Sequence, residues 1–382
     1  MNSNRTWLAA AMVAAIGLHF VPFTMYLSPD LHQAYRPWYY HLLEKGFSEP
    51  ISNYSPPYLY LLWGLTRFDG IFWPNVMIKL LSLSGAFWVA YSASRVLGAL
   101  GRPRELGLLC FILPSIILNT SVLSQVDTFW VAPCLLATAA AIEGKHARVS
   151  AWAGLAFAIK AQAAFFAPFV ILLFVRRRVP PAIWLIAPIV FVAAMVPAWL
   201  GGWKASYIAS IYLGQVNYME HVGKYFIGSS ASLWTPLGFL APKLVFDLRW
   251  LGLPFILAGL AFYWRYAPTP NARNIVRLAA ISAAGVPFLL PHMLDRFFIL
   301  ADVLAFLYAV AYPSRRTLIA AAAMQFASAW PMAVWAFFYH PWTFVAAPFA
   351  VIMLVLLWRD PEDQPQRRSS SREGAVTAPA LG

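Results

Sequence analysis

Long apolar runs, separated by short polar segments, follow one another along most of the chain. About 20 apolar residues cross the hydrocarbon core of a bilayer as a helix, and residues 7–27 form the first run of that length. The spacing of the later runs predicts an all-α polytopic membrane protein with about twelve spans. We expect a single transmembrane domain over residues 1–358, followed by a disordered tail over residues 359–382, which is polar and rich in proline.

The apolar run over residues 151–175 is interrupted by Lys160 and Gln162. Arg148 precedes this run, and Arg176 follows it together with two further arginines. Positive residues stay on the cytoplasmic side, so a helix that crossed the membrane once would place one of these flanks on the wrong side. The pattern therefore predicts two short helices that bend near Lys160. Such a bend is tolerated at membrane depth where it lines a cavity or is buried in protein.

The composition agrees with a membrane protein. The chain has 382 residues, of which 61% are hydrophobic and 11% charged, against about a quarter charged in soluble domains. Its net charge of +13 comes mainly from short loops between apolar runs, which indicates a membrane rather than nucleic acid as the partner. The same rule places both termini in the cytoplasm. Cys110 and Cys134 lie within apolar runs, so they predict neither a disulfide framework nor a metal site.

The polar segment over residues 28–60 follows the first run, and we expect it to carry short interfacial helices at the outer face. Tyr35, Trp38 and Tyr39 are spaced to share one face of a helix. Asp30 precedes them, and its carboxylate has two interpretations: a general base for an acceptor hydroxyl, or a cap of the following helix. Because aromatic rings stack well on sugars, this combination favours a site for a lipid-linked sugar.

Ionisable residues within apolar segments are costly and are candidates for function by default. Gln125 and Asp127 lie in the link between two runs, where they would hold sugar hydroxyls or orient the base. Asp127 would serve equally well as a helix cap. Lys160 needs a partner, either an acid of its own chain or an anionic ligand such as a phosphate. The charge pattern places all three residues on the same side as Asp30.

A further polar segment contains His292, Asp295 and Arg296 between two apolar runs. Arginine is a natural donor to phosphate, so this segment either binds substrate or anchors the helix ends at the interface. The sequence contains no motif of a phosphate-binding loop, a zinc hydrolase or a nucleophile elbow. Three other acids are expected to be structural: Asp69, Asp247 and Asp302.

The order of these segments resembles that of the GT-C glycosyltransferases, and most closely their bacterial mannosyltransferase-like branch. The acid after the first span, the Tyr and Trp, and the Tyr-Ser-Pro-Pro turn resemble the first outer loop of that family. The similarity extends through about residue 310. Three later segments are similar to family motifs: Ser124–Asp127 to a Gly-Gln-x-Asp link, Lys160–Gln162 to a Lys-x-Gln bend, and Leu294–Phe297 to a His-Glu-Arg-Tyr segment.

The chain departs from this pattern at three positions. Ser124 stands where the family has glycine, Leu294 where it has histidine, and Phe297 where it has tyrosine. His292 is the residue that could replace the missing imidazole. These departures affect the details of phosphate and sugar binding more than the reaction class.

The resemblance implies an inverting hexosyltransferase that uses a polyprenyl-phosphate sugar, mannose in the closest branch, and a lipid or glycan acceptor. Lys160, Arg296 or His292 would contact the donor phosphate, while Asp30 would deprotonate the acceptor hydroxyl. The reaction would take place at the periplasmic face of a bacterial inner membrane. We expect no nucleotide sugar, no cofactor and no obligatory metal.

Two other functions remain alternatives. A secondary transporter or lipid flippase would use Lys160, Asp127 and Asp302 as a polar track, but the sequence shows no matching halves of the kind common in transporters. A ligase or polymerase of lipid-linked glycans would favour an outer loop rich in arginine and histidine. The loop over residues 201–232 contains no arginine and only one histidine, His221.

Overall fold

The computed structural model describes residues 2–25, 28–51, 54–213, 229–241, 243–244, 248–337 and 341–361. Four features predicted from the sequence lie wholly or partly outside these ranges: the tail beyond residue 361, the middle of the loop after residue 201, the start of the turn at Asn53, and Asp247. The regular structure of the described ranges is helical, apart from one β-bridge between Asp69 and Phe72. The all-α prediction is confirmed.

Many helices begin with a proline in the first or second position, where its missing N–H costs nothing. The α-helices of the first half are α1 (Asn2–Met25), α2 (Arg36–Lys45), α3 (Pro56–Leu65), α4 (Pro74–Ala99), α5 (Pro114–Ile117), α6 (Asp127–Ile142), α7 (His146–Ile159), α8 (Ala167–Arg176), α9 (Pro181–Trp184) and α10 (Ile186–Leu200). Those of the second half are α11 (Trp234–Leu240), α12 (Gly252–Tyr266), α13 (Ala272–Leu289), α14 (Ile299–Ala311), α15 (Arg315–Phe337) and α16 (Ala347–Trp358). Residues 205–213 are also helical. The tighter 3-10 turns are Thr66–Phe68, Arg104–Ile112, Ala161–Phe166, Arg249–Leu251 and Pro341–Ala346, and the wider π-turns are Leu31–Tyr35 and Leu118–Val122.

Three helical segments within the described ranges are long and apolar enough to cross a membrane: α4, Pro181–Leu200 and α15. The pair Arg104–Ile112 and Pro114–Val122, bent by 59°, is a fourth candidate. Other apolar helices of 10–17 residues accompany them. The expected count of about twelve spans exceeds the number that meets this criterion. Breaks explain part of the difference, since Pro114 cannot continue the hydrogen bonds of a preceding helix.

Helix α6 lies at the centre of the fold, and every residue from Asp127 to Ala141 is buried. It packs against α4, α7, α13 and α14. Close approach to α4 depends on Gly85, where a Cβ would collide with Thr128 of α6. Cys134 on α6 is a buried free cysteine. Charged groups at the start of α6 are therefore surrounded by protein.

The predicted break at Lys160 is confirmed. Helix α7 ends at Ile159, Lys160 is extended with φ −158° and ψ 133°, and the 3-10 turn that follows leads into α8. Backbone carbonyls freed at such a break need new partners, above all within a membrane. Three hydroxyls supply them: Ser55 donates to Ile159, Tyr212 to Ala158 at 2.7 Å, and Ser282 to Phe165 at 2.9 Å.

The basic loops meet at the other end of α6 from this break. Arg177 donates to the carbonyls of Ala141 and Pro270, both at 3.0 Å. Arg273 pairs with Asp360 at 2.7 Å. The segments that follow α6, α8, α12 and α16 are therefore neighbours in space. The chain enters the bundle through α7 and returns through α8 to the same end, as the two arginine flanks predict.

Candidate functional site

Four separate segments meet where α6 begins. They are the segment after α1, the link before α6, the break after α7, and the loop between α13 and α14. Residues for which the charge pattern predicted a common side of the membrane are thus in contact with one another. The group, termed the acid–base cluster below, consists of Asp30, Gln125, Asp127, Lys160, Asp295 and Arg296.

Gln125 connects Asp30 to the rest of the cluster. Its side-chain N–H donates to Asp30 Oδ2, and its side-chain oxygen accepts from the Tyr35 hydroxyl at 2.8 Å. Its backbone N–H donates to the Asn119 carbonyl at 2.7 Å, and its carbonyl accepts from the Ser82 hydroxyl. Because Gln125 is completely buried and bonded on all sides, it fixes the orientation of the Asp30 carboxylate.

Asp127 and Lys160 form a buried ion pair with 2.6 Å between Oδ1 and Nζ. Asn119 and Trp130 each donate to Asp127 at 3.1 Å. Sequence reasoning missed both donors, although the spacing of Asp127 and Trp130 at i, i+3 places them on one face of a helix. The sequence left two partners open for Lys160, an acid of its own chain or an anionic ligand. In the structure Lys160 pairs with an acid of its own chain, Asp127.

Neither Asp30 nor Asp127 caps a helix, although the sequence allowed this role for both. Asp30 makes no side-chain cap for the turn Leu31–Tyr35. The cap position of α6 is Val126, and Asp127 is already the first residue of the helix. Both carboxylates accept hydrogen bonds from other side chains instead.

Arg296 lies between three carboxylates. Its Nη1 is 3.8 Å from Asp30 Oδ2 and 3.3 Å from Asp295 Oδ1, and its Nε is 3.7 Å from Asp127 Oδ2. These distances are longer than those of a close charged hydrogen bond, which are about 2.7–2.9 Å. The guanidinium is therefore shared among the acids rather than bound in a bidentate pair. With all groups ionised, three carboxylates and two cations leave one excess negative charge.

Access to solvent differs across the cluster. The Asp30 side chain is 30% exposed and that of Arg296 is 15% exposed, whereas Lys160 is 7% exposed and Asp127 is completely buried. A ligand that enters the site therefore meets Asp30 and Arg296 first. The pair of Asp127 and Lys160 lies behind them and sets the local charge.

Tyr35 and Tyr39 support this site from within the protein. Their rings are 1% and 0% exposed. The Tyr35 hydroxyl donates to Gln125, and that of Tyr39 donates to Asp69 at 2.9 Å. Neither ring presents a face for stacking, so the expected aromatic face is corrected for these two residues. Asp69, which the sequence predicts to be structural, therefore bonds to Tyr39 outside the cluster.

Trp38 and Tyr54 are the half-buried rings beside the cluster. Their centroids lie 5.0 Å apart with 49° between the planes. The Tyr54 ring also lies 5.3 Å from Lys160 Nζ, and its hydroxyl is 3.3 Å from that of Tyr35. Tyr54 was not selected from the sequence, although it belongs to the turn that resembles the family motif. These two rings are the candidates for contact with a sugar.

Two positions in the motifs have left-handed backbone, Ser124 with φ 57° and His292 with φ 58°. Glycine adopts this conformation without the steric cost that other residues have. Ser124 stands where the similar family has glycine, so the family residue suits this turn better than serine does. Gln162 is buried in the 3-10 turn after Lys160. Neither Gln162 nor His292 takes part in the cluster contacts named above.

Asp302, the remaining acid predicted to be structural, lies within the core. It is completely buried on α14 and accepts a hydrogen bond from the Ser115 hydroxyl. In the described part of the chain, no three side chains of His, Cys, Asp or Glu are grouped as a metal site. The three acids of the cluster instead share Arg296.

Comparison with known proteins adds no relative. No protein-family model, curated protein or solved structure matches the chain.

The environment of Asp295 gives a testable pH dependence. Burial raises the pKa of this carboxyl from 3.8 to about 6, although the charge of Arg296 acts in the opposite direction. Since the native state holds the proton more tightly than the unfolded state, native stability should increase as pH falls through about 6 toward 4. We expect Asp295→Asn to remove this part of the slope. Unfolding temperatures in detergent between about pH 7.5 and about pH 4.5 measure it. Identical slopes in the two proteins would contradict the assignment.

Proposed function

We propose that the protein is an integral membrane glycosyltransferase of the GT-C type. It transfers a hexose from a polyprenyl-phosphate carrier to a lipid or glycan acceptor. One observation carries the proposal: the accessible Asp30 carboxylate, oriented by Gln125, lies 3.8 Å from the Arg296 guanidinium. Transfer from a phosphate-linked donor uses a base for the acceptor and a cation for the leaving phosphate, and these two groups supply both roles.

In the proposed reaction, Asp30 takes the proton of the acceptor hydroxyl. Both named contacts of Asp30 involve Oδ2, so Oδ1 is the oxygen that receives it. The acceptor oxygen forms a bond to the anomeric carbon while the bond from that carbon to the phosphate oxygen breaks. The configuration inverts because attack and departure take place on opposite faces of the sugar.

Arg296 stabilises the negative charge that grows on the departing phosphate. Its long contacts to three carboxylates allow it to turn toward an anion without first breaking a bidentate pair. Lys160 is largely buried against Asp127 and does not contact the donor. Its positive charge offsets the negative charge of that acid. Trp38 and Tyr54 offer ring faces to the sugar at the edge of the cluster.

The proposal includes a setting for this reaction. The chain crosses a bacterial inner membrane about twelve times, with both termini in the cytoplasm and the cluster at the periplasmic face. Mannose is the proposed sugar because the similar branch of the family uses it. The proposed donor carries its own leaving group, so the reaction needs no nucleotide sugar.

A transfer assay with the purified full-length protein in detergent tests this function. Polyprenyl-phosphate mannose, glucose, galactose and arabinose are offered in turn with a lipid-extract acceptor. Consumption of one donor with formation of a glycosylated product is the expected result. If no donor is consumed but the protein moves a lipid or solute across reconstituted vesicles, the transporter alternative replaces the enzyme. Product formation from a nucleotide sugar alone would also contradict the proposal.

A further inference from the structure

A cavity lies away from the acid–base cluster, between α12, α13 and α16. It is a groove of about 390 Å³ with an almost entirely apolar lining. Phe262 and Val355 line it and are 51% and 41% exposed, so the groove opens on the outer surface of the helices. Its volume lies within the range of about 300–1,000 Å³ that is usual for ligand sites. An apolar surface groove in a bundle of apolar helices suits a hydrocarbon chain.

The middle of the groove is open because Gly285 of α13 has no side chain. A Cβ at Gly285 would meet no atom within 4 Å. Gly259 of α12 differs, since a Cβ there would collide with Leu289. Gly285 therefore leaves space that no neighbouring side chain fills, and a larger residue at this position would occupy the groove.

One end of the groove is basic. Arg359 belongs to its lining and is exposed. The rings of Phe262 and Trp358 pack with 4.9 Å between centroids and 39° between planes, so the end of α12, which carries the exposed Arg265, lies against the end of α16. Arg176 reaches the same end, because it donates to the backbone carbonyl just before Arg265 at 3.0 Å. Three arginines thus belong to the helix ends that meet where the apolar groove ends: Arg176 of α8, Arg265 of α12 and Arg359 after α16.

This basic end is far from the acid–base cluster. Helix α13 has 18 residues, a length of about 27 Å. The groove follows its second half from Leu289 to Ile281, and Asp360, the neighbour of Arg359, pairs with Arg273 in its first turn. Leu289 ends the helix just before the loop that carries Asp295 and Arg296. A phosphate bound at Arg359 would therefore lie about one helix length from the donor phosphate of the proposed reaction.

We propose that this groove binds an anionic phospholipid of the surrounding membrane. One acyl chain lies along Gly285, and the headgroup phosphate is held by Arg359, Arg265 and Arg176. Basic pockets beside membrane helices attract anionic headgroups, and arginine forms strong charged hydrogen bonds with phosphate. The lipid is a structural partner rather than a substrate, so the proposal goes beyond the proposed function.

Lipid binding to the full-length protein in neutral detergent tests this proposal without any transfer assay. Phosphatidylglycerol and phosphatidylcholine with the same acyl chains are titrated while bound lipid is counted by native mass spectrometry. Phosphatidylglycerol should bind at least about tenfold more tightly, about 1.4 kcal/mol. The double variant Arg265→Gln, Arg359→Gln should remove this preference, while Arg148→Gln, an exposed arginine outside the groove, should retain it. Gly285→Leu should weaken the binding of both lipids.

Three results would overturn the proposal. If the native protein bound both lipids with equal affinity, it would have no site for the anionic headgroup. If Gly285→Leu left lipid binding unchanged, the acyl chain would not lie in the groove. Binding of a polyprenyl phosphate that Gly285→Leu blocks and the arginine variants leave unchanged would assign the groove to that chain instead. If Gly285→Leu does not fold, Val355→Trp fills the same groove from α16.

Discussion

Asp30→Asn is expected to lower the rate of sugar transfer by about a hundredfold or more, the usual size of a lost general base. The amide has the shape of the carboxylate and still offers an oxygen to Gln125, but it cannot take the acceptor proton. The substitution also removes the one excess negative charge of the cluster. The KM for the anionic donor should therefore not increase, and the loss should appear in kcat.

Initial rates at several donor concentrations separate these two constants. Asp69→Asn is the matched control, because this acid accepts from Tyr39 outside the cluster and an amide oxygen can accept the same bond. Its rate should stay close to that of the native protein. Transfer that survives in Asp30→Asn would retain the enzyme but reject Asp30 as its base. Asp127 would then be the next acid to substitute.

Asp127→Asn is expected to reduce the free energy of unfolding by about 3–5 kcal/mol, the cost of leaving a buried charge without its partner. Lys160 is 7% exposed, and its ion pair with Asp127 would be lost. Adding Lys160→Met removes the stranded charge, so the double variant should recover most of this loss. Comparing the single with the double variant tests the effect of the unpaired Lys160 charge, since Asn closely matches Asp in size.

Unfolding can be followed through Cys110 and Cys134, which are both buried and react with a thiol dye only when the bundle opens. Glu143→Gln serves as the control. Glu143 pairs with Lys145 at 2.6 Å, but the two side chains are 26% and 47% exposed, so its loss should cost less than about 1 kcal/mol. Equal losses in Asp127→Asn and Glu143→Gln would show that the buried pair contributes no more than a surface pair.

Charge and periodicity along the chain were sufficient to predict two central features. The break at Lys160 followed from arginines on both flanks of one apolar run, because a single crossing would violate the charge rule. The same rule placed Asp30, Asp127, Lys160 and Arg296 on one side, and the structure brings them into contact. Such rules constrain the end of the bundle at which a residue lies.

Charge and periodicity do not specify which groups form pairs at that end of the bundle. Gln125 donates to Asp30 across 95 positions of the chain, and nothing in the local pattern of either segment selects that partner. The same limit applies to Tyr35, whose helical spacing with Trp38 was recognised but whose burial depends on Gln125 and Tyr58 packed against it. Local turns also escaped prediction: the segment over residues 106–118 forms a 3-10 turn and a bend at Pro114, although its composition is mostly apolar.

The three hydroxyls that bond to the carbonyls around Lys160 are synthesised at different times. A nascent chain that has reached α8 already contains Ser55 for the carbonyl of Ile159 and Asp127 for the charge of Lys160. Tyr212 and Ser282 emerge from the ribosome only later. Charge neutralisation therefore precedes completion of the backbone hydrogen bonds. The pairing of Lys160 thus requires only the chain up to α8, whereas the hydrogen bonds of the break are complete only when the chain through α13 has been made.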